Sequence, residues 1–237
     1  MIAIYKREMR AYFTSPVGYL FCAIFFAVSA FLAMSYTVQA GEDSNFGSYF
    51  ATIIYLFIAV IPLLTMKLVS EERKLRTDQL IMTAPVTLAG IVFGKYLAAL
   101  TMFGGSFLLS SLVYYIPLAL YGTPVTAIYL GCVLGVLLVG SAFISIGIFI
   151  SSLTENQFIS ALGTIGSIVL LLFISLLNSY INSTVLRNFL TGISITARYA
   201  YFSAGIFSYD SLFYFLSISA IFLFLTIRVF EKRRWSN

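Results

Sequence analysis

The run Lys67-Leu-Val-Ser-Glu-Glu-Arg-Lys-Leu-Arg-Thr-Asp-Gln-Leu-Ile-Met-Thr-Ala-Pro85 is a charged island between two long apolar segments, and that placement decides the fold. With Lys95 just beyond it, the island holds eight of the chain's 23 Lys, Arg, Asp and Glu residues. Its local chemistry predicts a helix outside the bilayer, from Glu71 to Met82. Ser70 is placed to N-cap it, Glu71 and Glu72 suit the positive end of the helix dipole, and Pro85 disfavours helical geometry at Ala84. Glu72 and Arg76 stand four apart with the acid first, and Lys74 and Asp78 pair in the reverse order. Leu68, Leu75 and Met82 recur every seven residues, which leaves a narrow apolar stripe on a charged rod. Such a rod is suited to docking in a groove of another protein; the plainer alternative is a solvated loop that only fixes topology.

The chain around the island has 237 residues, 60% hydrophobic and 10% charged, with a mean hydropathy of +0.99. A soluble domain carries about 25% charged residues, so this is the composition of a polytopic membrane protein. The net charge of +5 comes from basic residues at the ends of apolar segments. They set topology; no basic patch with interleaved aromatics is present for a nucleic acid. Cys22 and Cys132 fall inside apolar segments without CxxC spacing, which supports neither a disulfide framework nor a metal site. The complete lack of His removes the commonest general base and metal ligand.

Residues 1 to 15 read as an amphipathic helix in the membrane interface. Ile2, Tyr5, Met9, Tyr12 and Phe13 share one face, and Lys6, Arg7 and Arg10 the other. Pro16 turns the chain into a first span, 17 to 39. Val38-Gln39-Ala40 resembles a signal cleavage site, but the apolar run far exceeds the roughly 7 to 15 residues of a signal peptide core. A second span, 47 to 66, is broken near its inner end by Pro62. A third, 90 to 120, is too long for a perpendicular crossing, so it must tilt, kink near Gly104-Gly105 or Pro117, or protrude at Lys95. The fourth, 125 to 151, carries Gly131-x-x-x-Gly135 followed by Gly140, Ser141, Ser145 and Gly147, a spacing that lets helices approach closely. That face serves either a dimer or pore lining, or packing within the chain. Thr154 and Gln157 form a capping box opening the fifth span, 157 to 181. Residues 182 to 210 form an outer re-entrant region of one or two short helices. Asp210 caps the sixth span, 211 to 230.

With the N-terminus inside, twelve basic residues fall on the inner side and only Arg187 and Arg198 on the outer. The positive-inside rule then gives six spans with both ends cytoplasmic. Tyr36, Tyr49, Tyr114, Tyr129 and Tyr180 sit at the proposed outer ends, as an interfacial belt requires. The only near miss to a phosphate loop, Gly90-x-x-x-Gly94-Lys95-Tyr96, has the wrong spacing and no hydroxyl after its Lys, so ATP is not expected on this chain. No ionisable residue falls mid-span, where proton relays and voltage sensors need one. A conduit without its own energy coupling points to a driving force supplied by a partner at the island.

Three stretches carry a family resemblance. They are Arg7-Glu8-Met9-Arg10-Ala11-Tyr12-Phe13-Thr14-Ser15-Pro16-Val17-Gly18-Tyr19; Ser70-Glu71-Glu72-Arg73 with Thr77, Leu80 and Pro85; and Phe202-x-x-Gly205-x-x-x-x-Asp210-x-x-x-Tyr214. Together they resemble the ABC type-2 transporter permeases, and among these the gliding-motility permease subfamily, over essentially the whole chain. The resemblance implies a multi-pass bacterial inner-membrane unit, homodimeric or paired with a homologous permease. It also implies two cytoplasmic ATPase subunits that bind ATP and Mg, contact with membrane lipid, and room for an accessory extracytoplasmic subunit. It makes residues 69 to 85 a coupling helix and places Glu71, Glu72, Arg73, Thr77 and Leu80 beside the ATPase. Leu75, on the apolar stripe, and Arg76, the expected partner of Glu72, complete the set. Relatives more often show Gly-Thr where this chain has Arg76-Thr77.

The expectation is therefore an all-α integral membrane protein forming one permease domain over 1–237, a non-catalytic subunit of an ATP-driven exporter. Two other readings stand beside it: a membrane scaffold that transports nothing, and an ion-coupled secondary transporter.

Overall fold

The computed structural model describes residues 1–38, 46–77, 86–121, 125–177 and 184–236, and within them the protein is helical with no strand. The elements are α1 (Ile2–Thr14), α2 (Pro16–Ala33, continued by a π-helical turn at Met34–Val38), α3 (Phe46–Thr65), α4 (Ser70–Lys74) and α5 (Leu88–Tyr121). They continue with α6 (Thr126–Leu153), α7 (Gln157–Leu177), α8 (Thr184–Ile193), α9 (Ile195–Ser203) and α10 (Tyr209–Ser236). Among the described residues six helices are long and apolar enough to cross a membrane: α2, α3 with its extension through α4, α5, α6, α7 and α10. The protein is an all-α, multi-pass membrane protein, as its composition requires.

The bundle is organised around α6. In its most apolar window 72% of residues are buried, against 22% in those of α2, α7 and α10, whose outward sides carry exposed Phe31, Phe158, Phe173, Phe213 and Phe224. Small residues give α6 this position, because packing rather than the hydrophobic effect joins helices in lipid. A Cβ on Gly140 would lie 2.2 Å from the Phe103 ring of α5, and one on Gly147 would lie 2.4 Å from the Thr65 hydroxyl of α3. A Cβ on Gly131 would lie 2.5 Å from the Phe202 carbonyl oxygen, and one on Gly135 would lie 2.8 and 2.9 Å from the Phe202 and Tyr199 side chains. The Gly131/Gly135 face is thus occupied from within the chain by α9, whose Ile195, Tyr199 and Phe202 are buried.

Several local expectations need correction. Pro62 does not break α3, which runs on to Thr65; inside a membrane helix neighbouring groups re-satisfy the carbonyl that a proline leaves free. The third span is one helix of 34 residues with Lys95 two turns from its start. The capping box at Thr154 does not form. The Thr154 hydroxyl turns to the Asn156 carbonyl, and the Asn156 side chain accepts the Phe158 N–H at 2.9 Å. Ser208, not Asp210, accepts the Ser211 N–H at the start of α10.

Candidate functional site

The site lies at the end of the bundle where α1, the α3–α4 junction, the starts of α5 and α7 and the end of α6 meet. Its centre is the junction itself. After Thr65 the chain tightens: the Leu68 N–H bonds to Thr65 O at 3.2 Å in place of Leu64 O. Carbonyls at a helix end lack intrahelical partners and must find others when buried. Here other elements supply them. The Tyr12 hydroxyl of α1 donates to Leu64 O at 3.0 Å, the Ser151 hydroxyl of α6 to Met66 O at 3.2 Å, and the Lys95 ammonium of α5 to Leu68 O at 2.5 Å. Ser151 Oγ also accepts the Val69 and Ser70 N–H groups at 3.3 and 3.1 Å, which uses its one proton and both lone pairs. Ser70 is therefore not the cap. It lies inside α4, whose N-cap is Val69, and its hydroxyl turns back to Met66 O.

Beside this junction is a cluster of four charges. Lys95 is 1% exposed, and its Nζ lies 3.1 Å from the Glu8 carboxylate and 2.9 Å from that of Glu72. Arg7, whose side chain is 47% exposed, donates to both Glu8 and Glu72. Two acids and two bases balance, so no net charge is buried. An unpaired charge there would cost several kcal/mol, on the order of 3 to 5. Burial alone would raise the Glu8 carboxyl, but the Lys95 ammonium and Arg7 guanidinium beside it hold it below the usual carboxylate value. The cluster joins three elements: α1 through Glu8 and Arg7, α4 through Glu72, and α5 through Lys95.

Helix α1 reaches this position by shape. Ile4, Glu8 and Tyr12, four residues apart, form its buried stripe. Ile4 sits on Gly94 of α5, where an added Cβ would meet it at 3.1 Å, and Tyr12 O lies 2.0 Å from where Gly18 would carry one. Pro16 at the first turn of α2, after extended Ser15, sets the corner between the two helices.

On its other side α4 is tied to the α6–α7 connection. Arg73 donates to Glu155 at 3.1 Å and to Ser152 O at 3.5 Å, and Arg233 of α10 donates to the same carbonyl. The expected single rod from Glu71 to Met82 does not form. Helix α4 ends at Lys74 in a Schellman turn: Arg76 is left-handed at φ 56°, its N–H bonds to Arg73 O at 3.1 Å, and the Thr77 N–H bonds to Glu72 O at 2.9 Å. This break removes the expected Glu72–Arg76 pair, because Glu72 turns inward to Lys95 and Arg7 while Arg76 is exposed. It also splits the apolar stripe, since Leu68 is buried and Leu75 is 64% exposed. Asp78, Leu80, Met82 and Pro85 lie outside the described residues.

The structure divides the predicted residues. Glu72 and Arg73 bond to other elements of the chain, Glu71, Leu75 and Arg76 face outward, and Thr77 closes the turn on Glu72 O. Gly131 and Gly135 belong to the α9 contact, away from this site. Sequence reasoning missed Glu8, Tyr12, Ser151 and Glu155 as members. Glu8 was visible as an acid between Ile4 and Tyr12 on one helix stripe; Ser151 carried no signal.

A family model described as ABC-2 family transporter protein matches residues 2–235. No match is found among curated proteins.

Proposed function

Because the chain belongs to the ABC-2 family of transporter proteins, we propose that this permease component serves an ATP-driven exporter, in which α4 receives the stroke of a separate ATPase subunit. Two ATPase subunits and a second permease copy complete the assembly, and the termini and α4 lie on the cytoplasmic side of a bacterial inner membrane. ATP and Mg are held by the ATPase subunits.

The observation that carries this reading is the two-sided character of α4. Its inner side is held by Lys95, Arg7, Ser151, Ser152 and Glu155 from four other parts of the chain. Its tip presents Leu75, 64% exposed, between exposed Lys74 and Arg76. An apolar side chain ringed by charge is the composition of a small protein-docking point. Force applied there passes through buried ion pairs and hydrogen bonds into α1, α5 and α6 together.

The test is Leu75→Asp, which leaves every bond on the inner side in place. It should insert and express normally, yet lose co-purification of the ATPase subunit and transport-linked ATP hydrolysis. Glu72→Ala would report on folding as well as docking and is therefore a poor test. Undiminished ATPase binding and hydrolysis with Leu75→Asp would refute the assignment.

A further inference from the structure

The exposed surface of α1 is chemically one-sided. At 100° per residue the helix divides into three strips. One is the buried stripe of Ile4, Glu8 and Tyr12. Next to it lies an apolar strip with Ile2 68% and Phe13 55% exposed. The third carries exposed Lys6, Arg7 and Arg10. The only acid of α1, Glu8, is in the buried stripe and pairs with Arg7 and Lys95, so no anion on the helix balances the outward Lys6 and Arg10. Since α1 is joined to α2, the first helix able to span, by a proline corner, its apolar strip lies at the level where a bilayer meets water. A helix with this division lies in the interface plane and is drawn to anionic lipid.

We propose that the outward side of α1 docks on anionic phospholipid headgroups through Lys6 and Arg10, and that Arg7 conveys this occupancy to α4. Lys6 and Arg10 are one turn apart beside the apolar strip, and Arg10 is also one turn from Arg7. Arg7 belongs to both systems: half of its side chain is exposed on the cationic strip, and its guanidinium donates to Glu72 of α4. A headgroup phosphate is a competing acceptor for a guanidinium. When phosphate takes Arg7, Lys95 alone serves both Glu8 and Glu72, so Glu72 loses one of its two ionic ties and the cluster is left one cation short. Anionic lipid therefore secures α1 and loosens α4.

Hydrogen exchange on the full chain separates these effects, in phosphatidylcholine bilayers with and without phosphatidylglycerol. Phosphatidylglycerol should slow exchange across residues 2–14 and speed it across 70–77, and soluble glycerophosphate should do neither. Each basic residue near an anionic surface is worth about fivefold in binding. Lys6→Gln with Arg10→Gln should therefore reduce both responses at least fivefold. Arg7→Gln should abolish the response of α4 and keep that of α1. A response to glycerophosphate equal to that of the lipid would overturn the membrane as the source. An α4 response that survives Arg7→Gln would overturn the relay, and an α1 response indifferent to Lys6 and Arg10 would overturn the docking surface.

Discussion

Lys95 shows how one side chain changes meaning between sequence and structure. In the sequence it is a cation near the start of an apolar span, useful for orienting the chain. In the fold it is the shared partner of Glu8, Glu72 and Leu68 O. Lys95→Met would leave two buried carboxylates facing each other with only Arg7 between them, at a cost of about 3 to 5 kcal/mol. Glu8→Gln costs less, because Lys95 retains Glu72. The double variant should be less destabilised than the sum of the two, measured by thermal unfolding in detergent; strict additivity would mean the pair is not coupled. The Glu8 carboxyl is held below its unfolded value of about 4.3, so its contribution is complete above that pH and is lost as pH falls through the lower folded value. Glu8→Gln should remove that acid limb from the stability profile. Arg76 gives a second prediction at this scale. A non-glycine residue in the left-handed region costs roughly 1 kcal/mol, so Arg76→Gly should stabilise the turn by up to that amount and slow exchange of the Thr77 amide.

Elements were legible in proportion to how local their causes are. Long apolar runs and the proline corner at Ser15–Pro16 are set by nearby residues, and the six spanning helices follow from them. Helix α4 was misread because its length is decided by partners far away in sequence. Lys95 and Arg7 pull Glu72 inward, Ser151 caps the helix start, and the turn at Arg76 closes on carbonyls of α4 itself. No i, i+4 rule within residues 70 to 82 carries that information. The Gly131/Gly135 motif was legible as a close contact but not as to its occupant, since nothing local to α6 names α9. Gly135→Leu should overpack Phe202 and Tyr199, costing about 1 to 3 kcal/mol and raising exchange over residues 195–203. Gly105→Leu is the matched control, because its Cβ would meet nothing within 4 Å. Equal destabilisation by both would show that the α9 contact is not the cause.

For the whole molecule, the decisive quantity is which side of the membrane holds the charge cluster. Among the described basic residues, Arg187 and Arg198 lie between the fifth and sixth spanning helices, at the opposite end from Lys6, Arg7, Arg10, Lys67, Arg73, Lys74, Arg76 and Lys95. Short loops rich in Lys and Arg are retained on the cytoplasmic side, so this imbalance predicts that α4 faces the cytoplasm. Single cysteines can decide it in a background where Cys22 and Cys132 are Ser. Leu75→Cys and Arg187→Cys both replace exposed side chains at opposite ends of the bundle. With an impermeant thiol reagent added to intact cells, Arg187→Cys should label at once, and Leu75→Cys only after the membrane is opened. The reverse pattern would put α4 on the outer side, beyond the reach of any cytoplasmic ATPase. It would leave the ion cluster as a purely structural clasp between α1, α4 and α5.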